Sequence, residues 1–266
     1  MEVLLDQEAE LNKEEASSAP KESVNMPVLE EMMKAGLFAG RKSSKTHPRM
    51  KNFIFGIRNK SSVIDLEETL KVLESAMEFI KSKVASKGNL LLVGTTPSAK
   101  KSVDELARRL QLPFVTERWL GGTLTNFKTL SKRIAYFKKL KSDKESGRLD
   151  KYTKKERVDF DRQIKKMTVM FSGLEEMQNT PDVLFVVDVS ENMTAVREAK
   201  RLKIPVVGIL NTDTDPETVE YPIPANDRSK TSIDWILGRL EKAVQDGREQ
   251  AKSAVKTEEA KAVKSS

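Results

Sequence analysis

Apolar residues recur along this chain with two different periods. Leu66, Leu70, Leu73, Met77, Ile80 and Val84 follow one another at spacings of 4, 3, 4, 3 and 4, the repeat of one helical face. Asp65 stands before them with Glu68 three positions on, which predicts a capping box with Asp65 as N-cap. Leu90 to Val93 and Leu112 to Val115 are short unbroken apolar runs, as expected of strands covered on both faces. Asp182 to Asp188 and Ile204 to Leu210 read as further strands. Helices are predicted between and after them. One opens with Thr96 as N-cap and Pro97 at the first helical position, one spans Met193 to Lys203 behind a cap at Ser190, and Ile233, Leu237, Leu240 and Val244 mark a closing helix. Strand and helix in alternation predict an α/β fold, a doubly wound parallel sheet with right-handed crossovers.

One stretch interrupts the alternation. After Thr116 the chain reads Glu-Arg-Trp-Leu-Gly-Gly-Thr-Leu-Thr-Asn, a corner at which Thr123 and Thr125 both suit an N-cap. Leu124, Phe127, Leu130, Ile134, Phe137 and Leu140 then form an apolar stripe, residues 142–152 a polar turn, and Thr153 with Glu156 a second capping box. Phe160, Ile164, Met167, Phe171 and Leu174 repeat at 4, 3, 4 and 3, a short heptad seam. Residues 128–177 are therefore read as an antiparallel coiled-coil hairpin inserted into an α/β domain of residues 26–127 and 178–246. Residues 1–25 read as a disordered acidic extension and 247–266 as a flexible tail, since neither sustains an apolar period.

Composition narrows the chemistry. The 266 residues include no cysteine and a single histidine, His47, so disulfides, thiolate zinc sites and mechanisms needing a histidine pair are excluded. No apolar run approaches the roughly 20 residues of a membrane span, and the acidic N-terminus is unlike a secretory signal; a cytoplasmic protein is expected. Charge is strongly segregated behind the net +7. Residues 1–25 hold seven acids against two lysines, Lys34 to Lys60 eight Lys/Arg and no acid, and Lys128 to Lys166 fifteen Lys/Arg against six acids. For any one helix a charge run is commonly a solvated face. Two such blocks, one free of acids, point to a polyanion, most simply nucleic acid. The RNA-binding candidates are Arg41, Lys42, Lys45, His47, Arg49, Lys51 and Arg58 in the first block, Arg118 and Trp119 at the corner, and Lys128, Lys132 and Arg133 in the second. Few apolar residues hold the arm around Arg41 to Arg49, so it is expected to be ordered only on RNA, with Phe38 packing inward.

Two features could serve other chemistry. Gly94-Thr95-Thr96-Pro97 puts a helix start after a strand, where phosphate can bind, but neither nucleotide-binding glycine motif is present. Asp188, Asp213 and Asp215 fall at the ends of two predicted strands, and Asp188 with Ser190 resembles part of a magnesium-binding arrangement. The simpler reading is that Ser190 caps a helix and the other two acids shape a turn before Pro216.

The string Arg118-Trp119-Leu120-Gly121-Gly122-Thr123-Leu124-Thr125-Asn126 resembles a signature of the ribosomal protein S2 family. Phe53-Ile54-Phe55-Gly56-Ile57-Arg58-Asn59, Leu184-Phe185-Val186-Val187-Asp188, Ile204-Pro205-Val206-Val207 and Tyr221-Pro222-Ile223-Pro224-Ala225-Asn226-Asp227 are similar to other segments of that family, in order, from about Met26 to Arg248. The resemblance implies a flavodoxin-like sheet with the hairpin insertion. It also implies a structural, non-enzymatic role in the small ribosomal subunit, with no cofactor, metal or catalytic residue. The partners it implies are small-subunit ribosomal RNA at the junction of head and body, neighbouring ribosomal proteins, and the large mRNA-binding ribosomal protein S1. No membrane is implied. The chain departs from the family pattern in the arm, where Phe38 and Arg41 replace two histidines and Thr46 a tryptophan. The competing readings are an α/β nucleotide- or metal-binding enzyme using the strand ends, and a module whose hairpin docks protein.

Overall fold

The computed structural model describes residues 26–264, with side chains through residue 253; the acidic extension 1–25 lies outside the described residues. Five parallel strands form the central sheet: β4 (Leu90–Val93), β5 (Phe114–Val115), β6 (Val183–Val187), β7 (Val206–Leu210) and β8 (Tyr221–Pro224), in the order β5-β4-β6-β7-β8. This is the flavodoxin-like order, in which the first strand of the sheet lies inside and the chain winds outward both ways. Register is continuous, with Leu90 opposite Val183 and Leu184 opposite Val206. Pro222 and Pro224 pair only with β7 at the sheet edge, where a missing N–H costs no ladder bond.

The unbroken apolar runs are explained by two cores. Leu90, Leu92, Phe185, Val187, Val207 and Ile209 face one side; Leu91, Val93, Leu184, Val186, Val206 and Leu210 face the other. The first side is covered by α1 (Met26–Ala35), α2 (Leu66–Ala85), α3 (Pro97–Leu110) and α7 (Lys230–Lys264). The Asp65 carboxylate caps α2 by accepting from the backbone N–H of Glu67 and Glu68, as its position predicts. The predicted box is not closed: the Asp65 N–H goes to the Phe53 carbonyl and Glu68 pairs with Lys71. Thr96 precedes α3 as N-cap, but its hydroxyl makes no capping bond and is buried without a partner.

The second side is covered by α6 (Met193–Arg201), by the Trp119–Leu124 corner and by the hairpin helices α4 (Phe127–Glu145) and α5 (Lys154–Phe171). Thr153 and Glu156 form the reciprocal capping box. Phe137 and Phe171 meet across the hairpin with ring centroids 6.4 Å apart. The stripes do more than join the two helices. Leu130, Ile134, Phe137, Met167, Phe171 and Leu174 belong to the same cluster as the sheet residues Leu91 and Val186. The base of the hairpin is thus continuous with the domain core, and Phe114 of β5 donates its N–H to Gly173 just beyond α5.

Three expectations are corrected. The arm is not bare: β1 (Ala39–Lys42), β2 (Ile54–Arg58) and β3 (Ser61–Ile64) make a three-stranded antiparallel sheet in the order β1-β3-β2. Phe38 is 38% exposed, while Leu37 and Met50 supply the buried anchors. Helix α7 also continues through Gly247, which is buried against α2 where a side chain would strike the Lys81 carbonyl. Composition there reads as frayed because the contacts, Gly247 against α2 and Arg248 on the Leu110 carbonyl, follow no apolar period.

Candidate nucleic-acid interface

The corner between β5 and α4 is built around a carboxylate. Glu198, on the inner face of α6, accepts from Trp119 Nε1 at 3.1 Å and Gly122 N at 2.8 Å on one oxygen. Its other oxygen accepts from Leu124 N at 3.0 Å and from the Thr125 N–H and hydroxyl, each at 3.2 Å. Burial by itself would raise the Glu198 carboxyl, but these donors outweigh it and hold the group below the ordinary carboxylate range. Gly122 has φ +87°, a conformation that a side chain disfavours and that aims its N–H at the carboxylate. Neither predicted threonine caps α4. Asn126 is the N-cap, without a side-chain bond, while Thr123 donates to the Leu120 carbonyl and Thr125 is drawn to Glu198.

The strand ends, where open α/β sheets take ligands, are covered by the arm. His47 donates its N–H to the Thr212 carbonyl at 2.8 Å and Arg41 its N–H to the Thr212 hydroxyl at 2.9 Å. Gly40 permits this approach, since a Cβ there would lie 2.6 Å from the Ser62 carbonyl oxygen and 2.8 Å from Thr212 Cγ2. The Arg41 guanidinium reaches past to Asp227, at 2.9 and 3.1 Å, and to Asp213 at 3.3 Å. Asn211 donates to the same Asp227 carboxylate at 3.0 Å. Burial, and then the nearby Asp188 charge, push Asp227 up to about 6 despite the cation. Asp188, also pushed up by burial, accepts from the Glu191 N–H. That makes Asp188, not Ser190, the acceptor at this turn, and Asn192 the N-cap of α6. Asp215 caps the turn at Pro216 and pairs with Arg49 at 2.7 Å. No group of three or more His, Cys, Asp or Glu among the described residues is arranged to hold a metal ion.

These contacts sort the candidate residues. Arg41 and Trp119 are occupied inside the fold, Trp119 being 8% exposed. Arg49 is exposed but paired with Asp215 and Glu217. His47 is half-buried, accepting the Arg49 N–H on Nδ1. Lys42, Lys45, Lys51, Arg58, Arg118, Lys128, Lys132 and Arg133 are all exposed, and none has an ion pair among the described residues. The two basic blocks are anchored in one core: Met50, Phe53 and Ile54 of the arm share the cluster of Trp119, Leu124 and Leu130. Sequence reasoning missed Glu198. The available signal was an acid sharing a helical face with Ala195 and Ala199, where a charge stays only when its partners come with it.

The chain matches the model of the family described as Ribosomal protein S2 over residues 32–247. A protein of Coprothermobacter proteolyticus named small ribosomal subunit protein uS2 is 37% identical over 230 residues, covering 86% of each chain. One of the same name from Bifidobacterium longum subsp. infantis is 41% identical over 231 residues, covering 86% of this chain and 82% of its own.

Proposed function

We propose, since the chain belongs to the ribosomal protein S2 family, that it is a structural constituent of the small ribosomal subunit in the cytoplasm. Its arm and hairpin bind small-subunit ribosomal RNA at the junction of head and body, and it has no catalytic role of its own. The observation that carries this reading is the set of eight exposed cations without ion pairs among the described residues, seven of them on two blocks anchored in one core and Arg118 at the corner before α4. Exposed cations left unpaired are what counterion release from RNA requires. They contact phosphate, which positions the protein, while no side chain presents a recognisable base-reading pattern. The enzyme alternative finds less support, because the arm lies over the strand ends and Arg41 engages the carboxylates there.

A salt titration of RNA affinity with the full chain tests this. Wild type should show a steep fall in affinity with salt. Changing Lys42, Lys45, Lys51 and Arg58 together to Glu should flatten the slope by about four, one for each lost phosphate contact. Thermal stability should change little, since exposed substitutions are typically worth less than about 0.5 kcal/mol each. A nearly flat dependence for wild type, or an unchanged slope in the variant, would remove the RNA assignment.

Neighbouring ribosomal proteins complete the proposed set of partners, with S1 among them. Phe55 and Ile57 stand 81% and 67% exposed on β2, an apolar pair suited to protein and not to phosphate. Subunits carrying Phe55→Ala should retain S1 poorly while keeping their RNA contacts; S1 retention equal to wild type would remove β2 as its docking edge.

A further inference from the structure

The chain has three tyrosines, and two are used in packing. Tyr221 stacks on Phe79 with centroids 4.3 Å apart, and Tyr152 meets Phe160 edge-on at 5.2 Å. Tyr136 has no ring partner and no cation over its face among the described residues, and it is 46% exposed. It sits on α4 beside Phe137, which is completely buried. The helix therefore turns Phe137 into the core and leaves the Tyr136 ring outside it.

A single exposed aromatic is ordinary; its surroundings are not. Lys132, Arg133 and Lys139 lie four, three and three positions away, so on a helix they flank Tyr136 on adjacent turns. All three are exposed and none has an ion pair among the described residues. From Arg118 to Ser142 the chain contains no acid. Across the fold Lys141 alone of the cations in this stretch pairs with an acid among the described residues, Glu175 at 4.0 Å. Past Ser142 acids return to the sequence, and Lys144, Arg148, Arg157 and Arg162 are paired with Asp161, Asp143, Asp150 and Asp159. The outer face of the first hairpin helix thus combines an unpacked ring with unneutralised cations at helical spacing, which fits a polyanion carrying flat apolar groups.

We propose that Tyr136 is a nucleobase-stacking residue. Its ring takes the face of an unpaired base, and Lys132, Arg133 and Lys139 take the phosphates on either side. This rests on the reading of the hairpin as an RNA-binding surface and assigns it a ligand class, single-stranded or looped RNA in preference to a paired helix. Stacking needs the ring and not the hydroxyl, and it releases no counterions. The two kinds of contact therefore separate by salt dependence.

The test uses the full chain with small-subunit ribosomal RNA, and with a fully paired RNA duplex as the comparison, at several salt concentrations. Tyr136→Ala should weaken binding to the ribosomal RNA by about 5- to 100-fold, the usual loss for one stacked base, with the salt slope unchanged and duplex binding unaffected. Tyr136→Phe and Tyr136→Trp should bind like wild type. Lys132→Glu with Arg133→Glu should instead flatten the slope by about two. Wild-type affinity in Tyr136→Ala, alongside weakened binding in the charge variant, would overturn the stacking assignment and leave the RNA reading standing. So would equal losses in Tyr136→Ala and Tyr136→Phe. A loss of subunit association without a loss of RNA affinity would make this a protein-contact surface and overturn the proposal. No salt-dependent RNA binding by wild type would sink both readings. Melting curves should coincide for all variants, because the ring is outside the core.

Discussion

Replacing Glu198 with alanine is expected to cost about 3–5 kcal/mol of stability, lowering the melting temperature by on the order of 10 °C for a domain of this size. The carboxylate satisfies Trp119 Nε1, three backbone N–H groups and the Thr125 hydroxyl in one buried place. Donors to a charged acceptor contribute more than neutral pairs, and removing the acceptor leaves them desolvated. Glu198→Gln should recover only part of the loss, since one of its two positions becomes a donor facing other donors. The pH dependence has a definite sign. The folded-state value is depressed, so this stabilisation is present above the unfolded value and is lost as pH falls through the folded one. Wild type and Glu198→Ala should therefore converge in acid. Thermal melts of the three proteins across pH provide the measurement. A change below about 0.5 kcal/mol would show that water replaces the carboxylate and that the corner does not depend on it.

Arg41→Ala is expected to be nearly as damaging at neutral pH, by about 3–5 kcal/mol, because it strands buried carboxylates without their cation. The Asp227 side chain is 1% exposed and bound by two guanidinium contacts, and Asp213 shares the same group. Here the pH effect runs the other way. Asp227 titrates at about 6 in the fold, above the usual value near 4. Its proton adds stability at the acid end, and that contribution is lost as pH rises from about 4 through 6. Once Asp227 is protonated it needs no cation, so the cost of Arg41→Ala should shrink markedly at pH 5 relative to pH 8. Chemical denaturation of both proteins at the two pH values decides this. An equal loss at both would mean that the Asp227 charge is not what Arg41 serves. The same variant bears on RNA binding: Arg41 is engaged internally, so its loss should act through arm placement and leave the count of phosphate contacts nearly unchanged.

The sequence by itself determined the strands of the parallel sheet, the helices and their alternation, but not the small antiparallel sheet of the arm. Each depends on a repeat of near neighbours, and a strand buried on both sides is uniformly apolar whatever covers it. Leu90 to Val93 and the α2 stripe could be read for that reason, as could the capping box at Thr153, whose two partners are three residues apart. The segregation of charge was equally legible, because it is a property of composition. Only the tertiary structure decided which charges remain available. Arg41 and Lys42 are adjacent and both basic; one is held by Asp227, 186 residues away, and the other is exposed without an ion pair among the described residues. Trp119 likewise reads as an RNA-binding candidate until Glu198, 79 residues on, takes its indole N–H. Tyr136 lies off the predicted stripe that includes Phe137, and the structure shows its ring without a ring partner among the described residues. A hydrogen bond or ion pair across the fold follows no period in sequence, because it depends on which elements the sheet order brings together. Patterns of neighbours therefore specify where the chain is buried, and long-range polar partners settle which charged side chains remain exposed and unpaired among the described residues.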